Sequence, residues 1–192
     1  MEILKAIWDI FDVWTFYIGL ALLVIISVII QTIKGKKKAQ AGEDKAKIHK
    51  ILATVMGEAP YYVPVFATRI DEERNCRKYF FYAIAMQEER MVMVPLSFAD
   101  DVMGYGTPFE IRKEHLKAVD IVNIFKKKPE AKKQIFYFID KTPKRIFKLY
   151  LNATEVCTDK QTNPVNLFQE EEVLRASKIL FRWSEELERE NQ

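Results

Sequence analysis

A chain of 192 residues with 49% hydrophobic, 12% aromatic and 30% charged residues has room for one modest domain and an accessory segment, and it is too apolar to be disordered. Its net charge of +3 is unevenly distributed, because seven lysines face only two acids between Lys34 and Lys50, while the chain after Lys50 is close to neutral. A nucleic-acid-binding domain presents a basic face across its surface. We therefore expect no nucleic-acid partner.

The chain has only two cysteines and two histidines. Cys76 and Cys157 are far apart and form no CxxC pattern, so two free thiols in a reducing compartment are the simpler interpretation and a disulfide is the alternative. Structural zinc needs four ligands at short local spacings, which His49 and His115 do not complete. We expect neither a metal nor another cofactor.

Residues 13–33 form an uncharged apolar run of 21 residues, VWTFYIGLALLVIISVIIQTI. A helix of this length spans about 30 Å, the thickness of the hydrocarbon core of a bilayer, and Trp14 and Tyr17 near one end suit the membrane interface. A cleaved signal peptide is the alternative, but its apolar region is shorter and follows positive charge, whereas acidic residues precede this run. The run therefore predicts a retained transmembrane helix.

Lysines decide the predicted orientation of this helix. Four of them lie in residues 34–38, directly after the apolar run, whereas Lys5 alone precedes it. Positive residues next to a transmembrane end are retained in the cytoplasm. We therefore expect a single-pass protein of the cell membrane, with residues 1–12 outside the cytoplasm and all residues after Lys34 inside it.

A basic linker and an amphipathic helix are predicted to follow the membrane segment. Residues 34–44 are polar and contain two glycines without apolar periodicity, which is typical of a short linker. Within residues 45–60 one helical face is apolar, and Gly57 and Pro60 are expected to end the helix. That face comprises Ile48, Ile51, Leu52, Val55 and Met56.

Residues 61–192 are predicted to form one domain of antiparallel strands. Runs rich in aromatic and β-branched residues alternate with charged turns, which is typical of consecutive hairpins. The predicted strands lie in YYVPVFATRI, KYFFYAIAMQ, RMVMVPLSF, the two halves of FEIRKEHLKAVDIVNIF with a turn at Lys113 to Leu116, QIFYFID and RIFKLYLNA. The glycines and proline of ADDVMGYGTP, residues 99–108, predict a loop.

A final helix is predicted from about Leu167 to Glu190. Acidic residues 170–172 lie in its first turn, where they interact favourably with the helix dipole. One apolar stripe runs along it, made of Val173, Ala176, Leu180, Trp183 or Ser184, and Leu187. We expect this stripe to face the strands.

About seven short antiparallel strands followed by a helix resemble the bacterial pleckstrin-homology-like domain. The phrase FEIRKEHLKAVDIV, from Phe109 to Val122, is similar to the segment that links the fourth and fifth strands of those domains. The resemblance covers about Tyr61 to Glu190, and the added transmembrane helix and the helix before the first strand depart from it. It implies an α+β fold in which an antiparallel β-barrel of about seven strands is capped by the carboxy-terminal helix.

Lysines beside the anchor and in a later charged connection are candidate membrane-surface contacts. They are Lys34, Lys36, Lys37, Lys38, Lys126, Lys127, Lys128, Lys132 and Lys133. Basic loops of eukaryotic pleckstrin-homology relatives bind phosphoinositides, so anionic lipid headgroups are one candidate ligand of these lysines. A solvated lysine turn is the alternative for the later connection.

No catalytic signature emerges, because the carboxylate runs are adjacent acids in turns or at a helix start and no phosphate-binding loop is present. We expect a membrane-anchored, non-enzymatic binding or scaffolding module with a protein partner. The alternatives are a membrane-bound enzyme or enzyme subunit whose site lies near FADDVMGYGTP, residues 98–108, where Asp100 and Asp101 would meet His115, or an accessory subunit of a larger membrane assembly. Convergence of those three side chains in a deep cleft would favour the enzyme.

Overall fold

The computed structural model describes residues 2–59, 61–73, 76–99, 102–122, 133–141, 146–157 and 159–191. Within these ranges there are three α-helices: α1 (Glu2–Ala41), α2 (Glu43–Met56) and α3 (Glu170–Glu190). The strands are β1 (Val63–Glu73), β2 (Cys76–Met86), β3 (Arg90–Ala99), β4 (Val102–Tyr105), β5 (Phe109–Arg112), β6 (Leu116–Ile121), β7 (Lys133–Asp140), β8 (Ile146–Asn152), β9 (Thr154–Glu155) and β10 (Leu167–Phe168). The predicted α+β class is confirmed.

Helix α1 contains the apolar run and is, within the described part of the chain, the one helix long and apolar enough to cross a membrane. Its large apolar side chains from Trp14 to Ile33 are 46–68% exposed, so the described part of the chain does not bury them. The predicted linker 34–44 differs from the structure, because α1 continues to Ala41. Lysine, alanine and glutamine are good helix formers, and the break comes only at Gly42, whose φ of 73° ends the helix.

Helix α2 confirms the predicted amphipathic helix, shifted from 45–60 to Glu43–Met56. It ends at Gly57, which adopts a positive φ of 56°. Its stripe packs on one face of the sheet, with Ile48, Ile51 and Leu52 buried.

The main sheet is antiparallel and has eight strands in the order β4-β3-β2-β1-β8-β7-β6, with β5 pairing beside β4 on the same edge of β3. The prediction that residues 99–108 form a loop is wrong, because this segment contains β4. Gly104 lies opposite Ser97 on β3, and an added Cβ there would come within 2.8 Å of the Ser97 hydroxyl oxygen. Here glycine permits a close strand approach instead of marking a loop.

Alternating side chains of the strands build a core on each face of the sheet. On one face, inward residues of β1, β2, β3, β6, β7 and β8 pack against the predicted stripe of α3, and Leu180 and Trp183 are fully buried. On the other face, residues of β1, β2 and β3, including the buried Phe66, pack against α2. The sheet is therefore covered by a different helix on each side.

Helix α3 begins at Glu170, three residues later than predicted, because Leu167 and Phe168 pair with β9 as a short strand. The buried amide of Gln169 sets this boundary. Its Oε1 accepts the backbone N–H of Phe66 at 2.7 Å, and its Nε2 donates to the Phe66 carbonyl at 2.9 Å. In the second half of α3, the Trp183 indole donates to the Glu88 carbonyl in the β2–β3 turn.

The chain passes from one edge of the sheet to the other through a single short turn. Strand β5 pairs with β3 at one edge, β6 pairs with β7 at the opposite edge, and the 3-10 turn Lys113–His115 joins them directly. This confirms the predicted turn. The Lys113 ammonium lies 2.8 Å from carboxylates of Glu89 and Glu186, which raises the pKa of Lys113 and ties the turn to the β2–β3 hairpin and to α3.

Candidate functional site

A recess of about 680 Å³ opens at the end of the α3-side core, between β1, β2, β5, β6, β7 and β8. We call it the sheet-end recess. The residues that line it lie on the same face of the strands as the core. On β1, for example, Ala67 belongs to the core and Arg69 lines the recess, and side chains two residues apart on a strand point to the same face. It is therefore the uncovered end of the same apolar interior that α3 closes elsewhere.

The floor of the sheet-end recess is apolar and aromatic. Tyr82 and Phe109 meet edge to face with ring centroids 6.0 Å apart, and Phe109 remains 43% exposed. The other apolar lining residues are Ile111, Leu116 and Phe147. Burial raises the pKa of the Tyr82 phenol, so this hydroxyl stays protonated.

The rim of the sheet-end recess carries paired charges. The Arg69 guanidinium binds Asp71 in bidentate fashion, at 2.8 and 2.7 Å. Glu110 accepts hydrogen bonds from Arg112 and from Arg90, and the Arg112 bond lowers the pKa of Glu110. Among the residues that line the recess, two guanidinia, Arg69 and Arg112, stand against two carboxylates, Glu110 and Asp140, so the rim has little net charge but many hydrogen-bonding groups.

His115 lies on the same rim, with a side chain that is 68% exposed and 3.6 Å from the Glu114 carboxylate. Its predicted partners Asp100 and Asp101 lie outside the described residues, so the enzymatic alternative stays a prediction. Within the described ranges no group of three His, Cys, Asp or Glu side chains is placed to hold a metal ion.

A second recess, of about 470 Å³, lies where α1 meets the sheet domain. We call it the junction recess. Its charged lining comes from three segments: Lys38 at the end of α1, Glu43, Asp44 and Lys47 at the start of α2, and Lys160 in the loop before β10. Its apolar wall includes Phe98 and Met103, which face each other across β3 and β4.

Direct packing holds α1 against the sheet domain beside the junction recess. Gly35 and Ala39 are buried, and the Gly35 backbone lies against Val156 and Asn166. Asn166 also donates its backbone N–H to the Asp44 carboxylate at 2.9 Å, which joins the same loop to α2. The apolar helix and the sheet domain are therefore in contact and not merely tethered.

The lysines predicted as membrane contacts fall into three groups. Lys34, Lys36, Lys37 and Lys38 are exposed on the last turns of α1, and Lys38 also lines the junction recess. Lys133 begins β7 and lies over the Tyr150 ring, 5.4 Å from its centroid. Lys126, Lys127, Lys128 and Lys132 lie outside the described residues.

Sequence reasoning did not anticipate either recess. Arg69, Tyr82 and Phe147 belong to ordinary strand patterns, and nothing in those patterns marks them as neighbours of Phe109. Lys47 and Lys160 were likewise unremarkable as isolated lysines. Comparison with protein-family models gives no match, and comparison with curated proteins gives none either.

Proposed function

We propose that the protein is a single-pass, membrane-anchored binding module, without enzymatic activity, that receives a protein partner in the sheet-end recess. In this proposal α1 crosses the cell membrane and everything after Lys34 is cytoplasmic. The exposed apolar surface of α1 supports the crossing, and the lysines that follow it support the orientation.

A pleckstrin-homology-like barrel is the fold that we propose for residues 61–192. Its support is the direct link from β5 at one edge of the sheet to β6 at the other, together with α3 packed over the enclosed face. A barrel of this kind leaves one end of its interior open when a helix covers the other. The sheet-end recess has the character of that open end.

The observation that carries the binding function is the composition of the sheet-end recess. Exposed Phe109 and the apolar floor can take up an apolar or aromatic side chain, while the charge pairs around them can exchange hydrogen bonds with a peptide backbone. Aromatic residues and arginine are enriched in the energetically dominant parts of protein interfaces. A balanced rim is poorly suited to a phosphate or nucleotide, which favours a protein partner.

The sheet-end recess lies away from the contact between α1 and the domain. Phe147, in its wall, is five residues before Asn152 on β8, and at about 3.3 Å per residue these two positions are about 17 Å apart. The chain reaches Val156 and Asn166, which lie against α1, only after Asn152. A partner can therefore occupy the recess without competing with the anchor contact.

Site-specific photo-crosslinking in intact cells of the native host tests the function. A photoreactive phenylalanine analogue replaces Phe109 in one full-length chain and Lys178, exposed on α3, in a matched control. We expect a discrete protein adduct from position 109 that is absent from position 178. The adduct should disappear when Ile111→Asp is added, because a charge would then lie in the apolar floor.

Absence of any adduct at position 109, or the same adduct at position 178, would overturn the proposed protein-binding role. The thermal midpoint of the purified Ile111→Asp chain is measured alongside, so that loss of the adduct is interpreted only for a folded variant. Should that variant unfold, Arg69→Glu replaces it, since this substitution alters the rim without entering the core.

A further inference from the structure

We propose that the junction recess binds the phosphate of an anionic phospholipid headgroup, with Lys38, Lys47 and Lys160 as its cations. This inference rests on the proposed membrane anchoring, and it concerns a different site from the sheet-end recess. The ligand is a single lipid held in a defined position, as distinct from the general attraction of lysines to a charged surface.

The height of the junction recess along α1 matches the headgroup layer. The apolar face of α1 runs to Ile33, and Lys38 follows five residues later in the same unbroken helix. At 1.5 Å per residue this is about 7.5 Å along the axis. The headgroup region on each side of the hydrocarbon core is about 5–7 Å thick, so Lys38 lies at its outer boundary.

The contact between α1 and the domain keeps the recess at that height. Gly35 lies against Val156 and Asn166, and Ala39, one turn on, is only 5% exposed. Asp44, which follows the break at Gly42, is bound by the backbone N–H of Asn166. Because α1, α2 and the loop before β10 form one packed unit, the recess cannot move away from the membrane surface while that packing is intact.

The charges of the junction recess suit one phosphodiester. Three ammonium groups face two carboxylates, and one of these, Asp44, is already engaged by the Asn166 N–H and by Lys47 at 3.6 Å. Among the residues that line the recess, the ammonium groups outnumber the carboxylates by one, and this difference equals in magnitude the charge of a phosphodiester. Lysine binds phosphate as a mobile point charge and needs no fixed geometry.

The electrostatics of Cys157 show that two of these cations approach the same wall. Burial raises the pKa of the Cys157 thiol. The charges of Lys160 and Lys38 oppose that shift, and those of Asp44 and Asp159 reinforce it. The two lysines come from segments more than a hundred residues apart in the chain. Their convergence on one wall is therefore a product of the fold.

The apolar wall of the junction recess selects a lipid over free phosphate. Phe98 and Met103 line it, and Val102, next to Met103 on β4, is 67% exposed. An exposed apolar side chain beside a cationic recess matches the junction between a glycerol backbone and a headgroup. Inorganic phosphate would use only the lysines.

Lipid retention by the full-length chain tests the proposal. The protein is reconstituted in nanodiscs containing phosphatidylglycerol and phosphatidylcholine, released into mild detergent, and analysed by native mass spectrometry for bound lipid. We expect one retained phosphatidylglycerol, and a loss of about tenfold or more in the retained fraction for the double variant Lys47→Gln, Lys160→Gln. The control Lys50→Gln changes an exposed lysine of α2 that does not line the recess.

Equal retention by the double variant and the wild-type chain would overturn the lipid site, as would an equal loss in Lys50→Gln. An excess of inorganic phosphate should leave the retained lipid in place, and its displacement would instead identify a general phosphate site. Alkaline carbonate extraction of membranes is scored for every variant. If anchoring is correct, each variant stays in the membrane pellet whatever the lipid result, so failure of the recess and failure of the anchor are separable.

Discussion

Gly35 on the apolar helix lies so close to Val156 of the sheet domain that a Cβ added at residue 35 would come within 2.6 Å of Val156 Cγ1. The same Cβ would lie 2.8 Å from the Asn166 side-chain oxygen. Glycine at this position therefore allows the helix backbone itself to form the contact. This close contact explains how α1, which carries the whole apolar run, also packs against the sheet domain.

Replacing Gly35 with Ala should loosen this contact. The new methyl group must displace Val156, and forced overpacking of this kind typically costs about 1–3 kcal/mol. The measurement is the free energy of unfolding in detergent together with backbone hydrogen exchange in the loop before β10, which should become faster. Gly19→Ala is the matched control, since a Cβ there meets nothing within 4 Å. Identical behaviour of the two variants would mean that α1 does not dock on the domain.

Leu180→Ala should destabilise the sheet domain strongly. Leu180 is fully buried in the core between α3 and the strands, and truncation of a buried leucine usually costs about 2–5 kcal/mol. Chemical unfolding of the full-length chain measures the effect, with Lys178→Ala on the exposed side of the same helix as control. A loss below about 0.5 kcal/mol would show that α3 is a surface element.

The buried carboxyl of Glu155 should make stability depend on pH. Glu155 is 5% exposed and accepts hydrogen bonds from the side chains of Asn152 and Asn163, at 2.6 and 2.8 Å. Burial is the largest influence and raises its pKa above the ordinary value of 4.5. The folded state then binds a proton more tightly than the unfolded state, so the contribution of Glu155 to stability falls as pH rises through the raised pKa.

Comparison of Glu155→Gln with the wild-type chain isolates this contribution. The variant does not titrate at residue 155, so its unfolding free energy relative to wild type should increase as the pH is raised from the ordinary value of 4.5 toward neutrality. Glu171→Gln, with a side chain that is 83% exposed, is measured under the same conditions as the control for the glutamate-to-glutamine exchange. A difference between Glu155→Gln and wild type that stays constant over this range would contradict the assignment.

Membrane topology should follow the lysines after the apolar run. In a chain whose two native cysteines are replaced by serine, single cysteines are introduced at Glu2 or Gln192, and intact cells are treated with an impermeant thiol reagent. We expect labelling at position 2 and none at position 192 until the cells are permeabilised. The opposite pattern would reverse the proposed orientation.

Both recesses depend on residues that are distant in the chain, and this is why pattern reasoning did not find them. The sheet-end recess joins Arg69 of β1 to Phe109 of β5 and Phe147 of β8. Each of these residues belongs to a strand in which the alternation of apolar and polar residues predicts which side chains are buried. The alternation does not predict which strands lie next to each other. Strand order, which pairs β1 with β8 and β3 with β5, brings them to one opening.

Local periodicity by itself determined the elements of this protein: an uncharged run long enough for a spanning helix, a stripe on α2, a stripe on α3 from Val173 to Leu187, and alternating strands between them. These signals are local because side-chain direction repeats every 3.6 or 2 residues. Tertiary structure alone decided the pairing of β4 and the composition of both recesses. At Gly35 and Gly104 the backbone is closely approached by Val156 and Ser97, and no local pattern specifies such contacts between distant segments.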